Sequence, residues 1–148
     1  MGDDATNAAG PQAVCACGAH VLQLSKMPRR ATMCFCDPCR KRTGGPFGLA
    51  AYVRRAGLEL PRLSVRRRIA DSGRWLDNYF CDQCGTVLYY DCEMVPGVVG
   101  VPVGLFEGGH QLRPHRAVFC EQKPDWFVLP DGIEAWTRGS DSEPFTEA

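Results

Sequence analysis

Apolar residues in this chain fall in short runs separated by turn-forming residues. No window of a dozen positions carries them at the 3.6-residue spacing of an amphipathic helix. Short extended pieces are therefore expected. His20 to Ser25 alternates and ends before Pro28, and Ala31-Thr32-Met33 follows a basic turn. After the loop Thr43-Gly44-Gly45-Pro46, the segment Phe47 to Val53 reads as a strand. Leu58 to Leu60 and Leu63 to Ala70 continue as extended pieces, the second an exposed strand with one apolar face. Thr86 to Cys92, Val98 to Phe106 and Ala117 to Cys120 are rich in β-forming residues and predict three more strands. Turns are expected at Pro96-Gly97, Gly108-Gly109 and Pro130-Asp131-Gly132. The pattern predicts a mainly β, mostly antiparallel fold with at most one short helical turn.

Residues 1–12 are small and polar and read as a disordered leader, residues 13–136 as one domain, and residues 137–148 as a flexible polar tail. At 148 residues with 45% hydrophobic content, a single domain burying roughly two-thirds of its unfolded surface is the expectation. The start of the chain has no charged and apolar leader pattern, and no apolar run reaches membrane-spanning length. A soluble protein of the cytoplasm, with no membrane partner, is expected. The nine cysteines agree with that. Their odd number and knuckle-like spacing favour thiols kept as metal ligands in a reducing compartment over a disulfide framework.

A formal net charge of zero conceals an asymmetry: residues 20–80 hold 13 Lys/Arg and four Asp/Glu, whereas residues 81–148 hold four and 11. The basic clusters could meet nucleic acid or an acidic protein surface, or pair with the acidic half across the fold. Arginines interleaved with aromatic residues, as a single-strand binder needs, are missing, and so is a recognition helix. Nucleic acid is therefore not the expected partner, and a zinc-stabilised binding module remains the alternative to an enzyme.

The chemistry concentrates at Cys34-Phe35-Cys36-Asp37-Pro38-Cys39, three thiols within six residues, with Asp37-Pro38 predicting a tight turn. Three sulfurs from such a knuckle can reach one zinc ion and leave its fourth direction open, as catalytic zinc sites do. Cys92, Cys120 or a histidine could instead close it into a structural site. Cys15-Ala16-Cys17-Gly18 and Cys81-Asp82-Gln83-Cys84-Gly85 are further half-sites, and spacing leaves their pairing open. A redox role for Cys34-x-Cys36 lacks a thioredoxin-like setting. Arg40, Lys41 and Arg42 follow the central knuckle directly and could present cations to whatever binds there.

Taken in order, Cys15-x-Cys17-Gly18, Cys34-x-Cys36-x-x-Cys39-Arg40 with Gly44, Phe80-Cys81-x-x-Cys84-Gly85, a Val-Gly segment, Pro114 with His115 and the late Trp126 resemble the glutathione-dependent formaldehyde-activating family, which includes centromere protein V. The resemblance spans about residues 13–136. It implies a β-tent of small antiparallel sheets with two zinc ions. Cys15, Cys17, Cys81 and Cys84 would close the structural one, and Cys34, Cys36 and Cys39 would hold the catalytic one. It further implies a carbon–sulfur lyase acting on a glutathione-like thiol and an aldehyde such as formaldehyde; from their place beside the open knuckle, Arg40, Lys41 or Arg42 are expected to receive the thiol compound's carboxylates. Asp37-Pro38 and Phe106-Glu107 depart from the family's usual residues and bear on the substrate. Cys92 and Cys120 read as core thiols. His20, His110 and His115 read as structural or surface residues. Trp75, Trp126, Trp136, Tyr79, Tyr89 and Tyr90 read as core or lid packing.

Overall fold

The computed structural model of the protein describes residues 10–70 and 72–147, with His110 described in its backbone alone. The leader expected over residues 1–12 lies mostly outside the described residues, and Gln12 already opens a strand. Strands β1 (Gln12–Val14) and β2 (Val21–Gln23) pair antiparallel as a small sheet of their own. The other eight form one sheet in the order β10-β9-β3-β4-β8-β7-β6-β5. They are β3 (Ala31–Cys34), β4 (Gly48–Arg54), β5 (Ser64–Ile69), β6 (Trp75–Phe80), β7 (Val87–Cys92), β8 (Val98–Pro102), β9 (Arg116–Val118) and β10 (Glu134–Ala135). The mainly β expectation holds.

Pairing is mostly antiparallel, as expected, and the large sheet is mixed only through β9. β9 lies parallel to both β3 and β10, with Met33 opposite Ala117 and Ala135 also opposite Ala117. Two 3-10 turns, Val103–Leu105 and Gly109–Gln111, carry the chain from β8 across to β3, and that crossover returns it in the parallel sense. The first turn also ends β8 at Pro102, short of the expected Phe106. Likewise β9 stops at Val118, because Phe119 takes a left-handed backbone (φ 57°) and turns the chain into a 3-10 turn at Cys120. Leu58 to Leu60 forms no strand.

β5, at the sheet edge, is exposed as expected, and its apolar residues are exposed with the rest, Ile69 to 63%. An edge strand carrying Arg66, Arg67 and Arg68 is guarded against further pairing by its charge. Arg67 ties it back through Asp77, 2.8 Å away, and lies over the Trp75 ring.

Two apolar clusters hold the layers together. Ala13 and Leu22 from the small sheet, with Leu24 just after it, pack on Leu88, Val99, Val101 and Phe106, so the small sheet packs on one face of the large one. At the β3–β9 end of the sheet, Met33, Phe35, Ala117 and Cys120 are enclosed by Phe47, Leu49, Phe127, Leu129, Ile133 and Phe145. Phe35, Phe47 and Phe127 meet there with ring centroids 5.1–5.8 Å apart, the separation of favourable aromatic pairs.

The segment 137–147 is folded back rather than loose. The Thr137 amide donates to Glu143 and the Phe145 amide to Ala135, each at 2.9 Å, while Phe145 enters the second cluster. Phe145 and these hydrogen bonds, with the Arg138–Glu121 ion pair, anchor it together.

Candidate metal centres and the adjoining cleft

Cys15 and Cys17 sit in the loop between β1 and β2, and Cys81 and Cys84 in the loop between β6 and β7. In each loop a glycine amide returns to the first cysteine's carbonyl, Gly18 to Cys15 at 2.9 Å and Gly85 to Cys81 at 2.7 Å, which curls both thiols inward. The Ala16 amide donates to the Thr86 hydroxyl at 3.1 Å and fastens one loop to the other. The four sulfurs all lie within 4.8 Å of one another. Cys15 and Cys17 are 3.6 Å apart, Cys17 and Cys81 3.7 Å.

Four sulfurs placed tetrahedrally about 2.3 Å from one ion are about 3.8 Å from each other, while a disulfide would bring two to about 2 Å. The observed spacing fits the metal and excludes the bond. All nine cysteines are free thiols. A hydrogen bond with the Thr86 hydroxyl leads the causes that pull the Cys84 thiol down to about 5.

The second cluster follows from local geometry. Cys34 ends β3 and the chain stays extended through Cys36 (φ −67°, ψ 158°), so these two thiols share one side while Phe35 points the other way into the core, 0% exposed. Where a tight turn was expected at Asp37-Pro38, the chain enters helix α1 (Asp37–Thr43). Pro38 fits its first turn, where an amide has no partner to lose. One helical turn beyond Cys36 then brings the buried Cys39 to the same point. α1 ends at Gly44, which takes the left-handed backbone (φ 74°), so Thr43 belongs to the helix and not to the loop.

The sulfurs of Cys34 and Cys36 are 3.2 Å apart, and all three lie within 4.8 Å of one another. Among the described residues no fourth histidine, cysteine or carboxylate joins them. Hydrogen bonds from Cys34 and Cys36, and then the charge of Arg42, hold the Cys39 thiol at about 3. Cys34 is pushed well above its ordinary range by its hydrogen bonds with Cys36 and Cys39. This donor set suits a thiophilic divalent ion such as zinc with one position left open.

α1 divides the three basic residues expected to serve one ligand. Arg40 and Lys41 line an open cleft of about 500 Å³ with Gly44, Gly45, Pro46, Gln122, Pro124 and Trp126. Arg40 is steadied there by the Phe35 carbonyl at 3.0 Å and by Gln122 at 3.2 Å. Arg42 faces inward instead, its guanidinium 4.7 Å from the Tyr90 ring centroid.

Trp126, expected in core or lid packing, is 73% exposed at the cleft rim. Gln122 was not singled out in the sequence, and no local signal there pointed to it. His20 lies within ligand distance of Cys81 and Asp82, beside the four-cysteine site. His115 belongs to no metal-ligating group, and burial lowers its imidazole pKa. Burial likewise raises the Cys92 and Cys120 thiols; Cys120 is packed in the core, whereas Cys92 is half-buried and outside the core clusters.

These clusters, on this fold, are those of a protein that could hold metal ions through thiolates. The chain belongs to the glutathione-dependent formaldehyde-activating enzyme family, whose model matches residues 11–122 and so contains all seven clustered cysteines and Arg40 to Arg42. Trp126 and the docked C-terminal segment lie beyond the match. Comparison with curated proteins yields no match. Among solved structures the chain is similar to a Rhodobacter sphaeroides protein from a structural genomics programme, at 25% identity and a TM-score of 0.52, over 66% of this chain and 88% of that one.

Proposed function

We propose that this protein is a carbon–sulfur lyase that joins a glutathione-like thiol to an aldehyde such as formaldehyde, or cleaves the adduct. The observation that carries the reading is the three-sulfur cluster of Cys34, Cys36 and Cys39 with no fourth ligand among the described residues, one helix away from a cationic cleft. In the forward direction the thiol sulfur attacks the carbonyl carbon, a C–S bond forms, and the proton leaving sulfur ends on the carbonyl oxygen. A zinc ion at this cluster would favour the thiolate form of a thiol entering its open position.

The chain's own residues do the positioning. Cys34, Cys36 and Cys39 fix the open direction because strand and helix set all three side chains. Arg40 and Lys41 meet the carboxylates of the thiol compound, with Arg40 held in place by Gln122. Trp126 walls the cleft.

We place the second ion at Cys15, Cys17, Cys81 and Cys84, where it closes the fold and takes no part in the reaction. Nine free thiols suit a reducing compartment, and cytoplasmic residence is part of the proposal. Among the described residues no helix is long and apolar enough to cross a membrane.

The test is Cys36→Ala, assayed for metal content, circular dichroism and formaldehyde consumption with glutathione. It should hold one ion in place of two, keep its β spectrum and consume formaldehyde no faster than the uncatalysed mixture. Equal rates in the two proteins would reject catalysis at this cluster.

A further inference from the structure

On the inner side of the three-cysteine cluster the chain places a half-buried positive charge. Arg42 stands one helical turn after Cys39 and leaves α1 on the same inward side. Gly48 makes room for both: a Cβ there would lie 2.6 Å from Arg42 Nη2 and 3.2 Å from Cys39 Cβ. The guanidinium rests on the face of Tyr90. That ring is fixed in turn, lying against Gly100, where a Cβ would come 2.4 Å from Tyr90 Cζ, and its hydroxyl is 3.0 Å from that of Tyr52. Tyr52 and Tyr90 therefore form a rigid floor under the arginine.

Arg42 Nη2 is buried and makes no hydrogen bond, and among the described residues no carboxylate pairs with Arg42. A half-buried cation whose inner nitrogen lacks an acceptor is costly unless an anion lies close. The neighbouring anion this chain can supply is the sulfur cluster. Three thiolates on a divalent ion carry a net charge of about −1, and an anionic fourth ligand takes that to about −2. Buried opposite charges are screened little by salt.

We infer that Arg42 is a positioning residue: the internal counter-charge of the Cys34/Cys36/Cys39 centre, through which the centre retains its metal and prefers a thiolate to neutral water as its fourth ligand. The inference rests on the metal reading of those cysteines given above. It also separates Arg42 from Arg40 and Lys41, which face the substrate.

The test uses the full chain loaded with zinc and a chromophoric chelator that withdraws the ions in order of affinity. Wild type, Arg42→Met and Arg42→Lys are compared, with cobalt(II)-loaded protein titrated with glutathione as a second readout. Arg42→Met should release one of its two ions about 10–100-fold more readily. It should keep the other ion at wild-type affinity, and glutathione should perturb its cobalt spectrum only at higher concentration. Arg42→Lys should recover most of both losses, since it restores charge without the planar stack on Tyr90.

Unchanged release in Arg42→Met, equal losses in the Met and Lys variants, or equal weakening of both ions would each overturn the inference. If Arg42→Met does not fold, Arg42→Gln replaces it under the same criteria. A wild-type protein that binds one ion would sink the metal reading itself. Two ions and indifferent variants would sink the Arg42 inference alone.

Discussion

Replacing Cys81 by serine removes a fully buried sulfur 3.7 Å from Cys17, in the loop that fastens the small sheet to the large one. The hydroxyl left behind is a poor ligand in a pocket of sulfur and apolar groups, and a buried hydroxyl without a partner costs about 1–3 kcal/mol. Loss of the ion is the larger effect. Structural zinc contributes on the order of 10 kcal/mol or more, which matches or exceeds the whole stability of an ordinary domain at about 5–15 kcal/mol.

The small sheet has little else to hold it. Its strands are three residues long, an isolated hairpin of that size is marginal in water, and its backbone link to the rest is an isolated bridge from Ala13 to Phe106. Packing of Leu22 and Leu24 contributes about 2 kcal/mol each, short of the metal's share. Cys81→Ser should therefore be largely unfolded at 25 °C, or recovered with the segment 10–24 detached. Differential scanning calorimetry, metal analysis and limited proteolysis of the purified variant would show which. A soluble variant with two ions and a melting temperature within about 2 °C of wild type, equivalent to less than about 1 kcal/mol for a chain of this length, would refute the assignment of this site to folding.

Phe145→Ala should lower the melting temperature by a few degrees, reflecting about 1–2 kcal/mol from a half-buried ring, because the C-terminal segment is docked on the Phe35 cluster; no change would mean that the segment contributes nothing to stability. His115 resists protonation in the folded state through burial, so the unfolded chain takes up the proton first as pH falls through about 6.5. Stability from this group is full above that pH and declines below it. Melting temperatures between pH 7.5 and 5.5 should fall less steeply for His115→Gln than for wild type, and parallel curves would assign the acid sensitivity to other groups.

Local spacing made the central knuckle legible. In an extended segment alternate residues share a side, so Cys34 and Cys36 converge whatever the rest of the molecule does, and one helical turn delivers Cys39. Most of the short strands were legible for the same reason, because alternation is a nearest-neighbour property, but β1, β6 and β10 were not. α1 was not, since seven residues with one buried side chain are too few to show a helical stripe.

Everything that depends on residues far apart in the chain waited for the fold. Spacing alone left the partners of Cys15 and Cys17 open, and only the packing of one sheet on the other brings Cys81 and Cys84 to them across 64 or more positions. Whether β9 runs parallel to β3, whether Trp126 is buried, and whether the last residues dock are likewise set by long-range packing. The run Arg40-Lys41-Arg42 shows the division most sharply. Its charge is plain in the sequence, but which arginine meets solvent depends on the helix's rotation over β4 and on the space left by Gly48. Composition cannot separate a cation that greets a ligand from one that lies beneath a metal centre, because that difference is a direction in space, fixed by side chains that the local sequence does not contain.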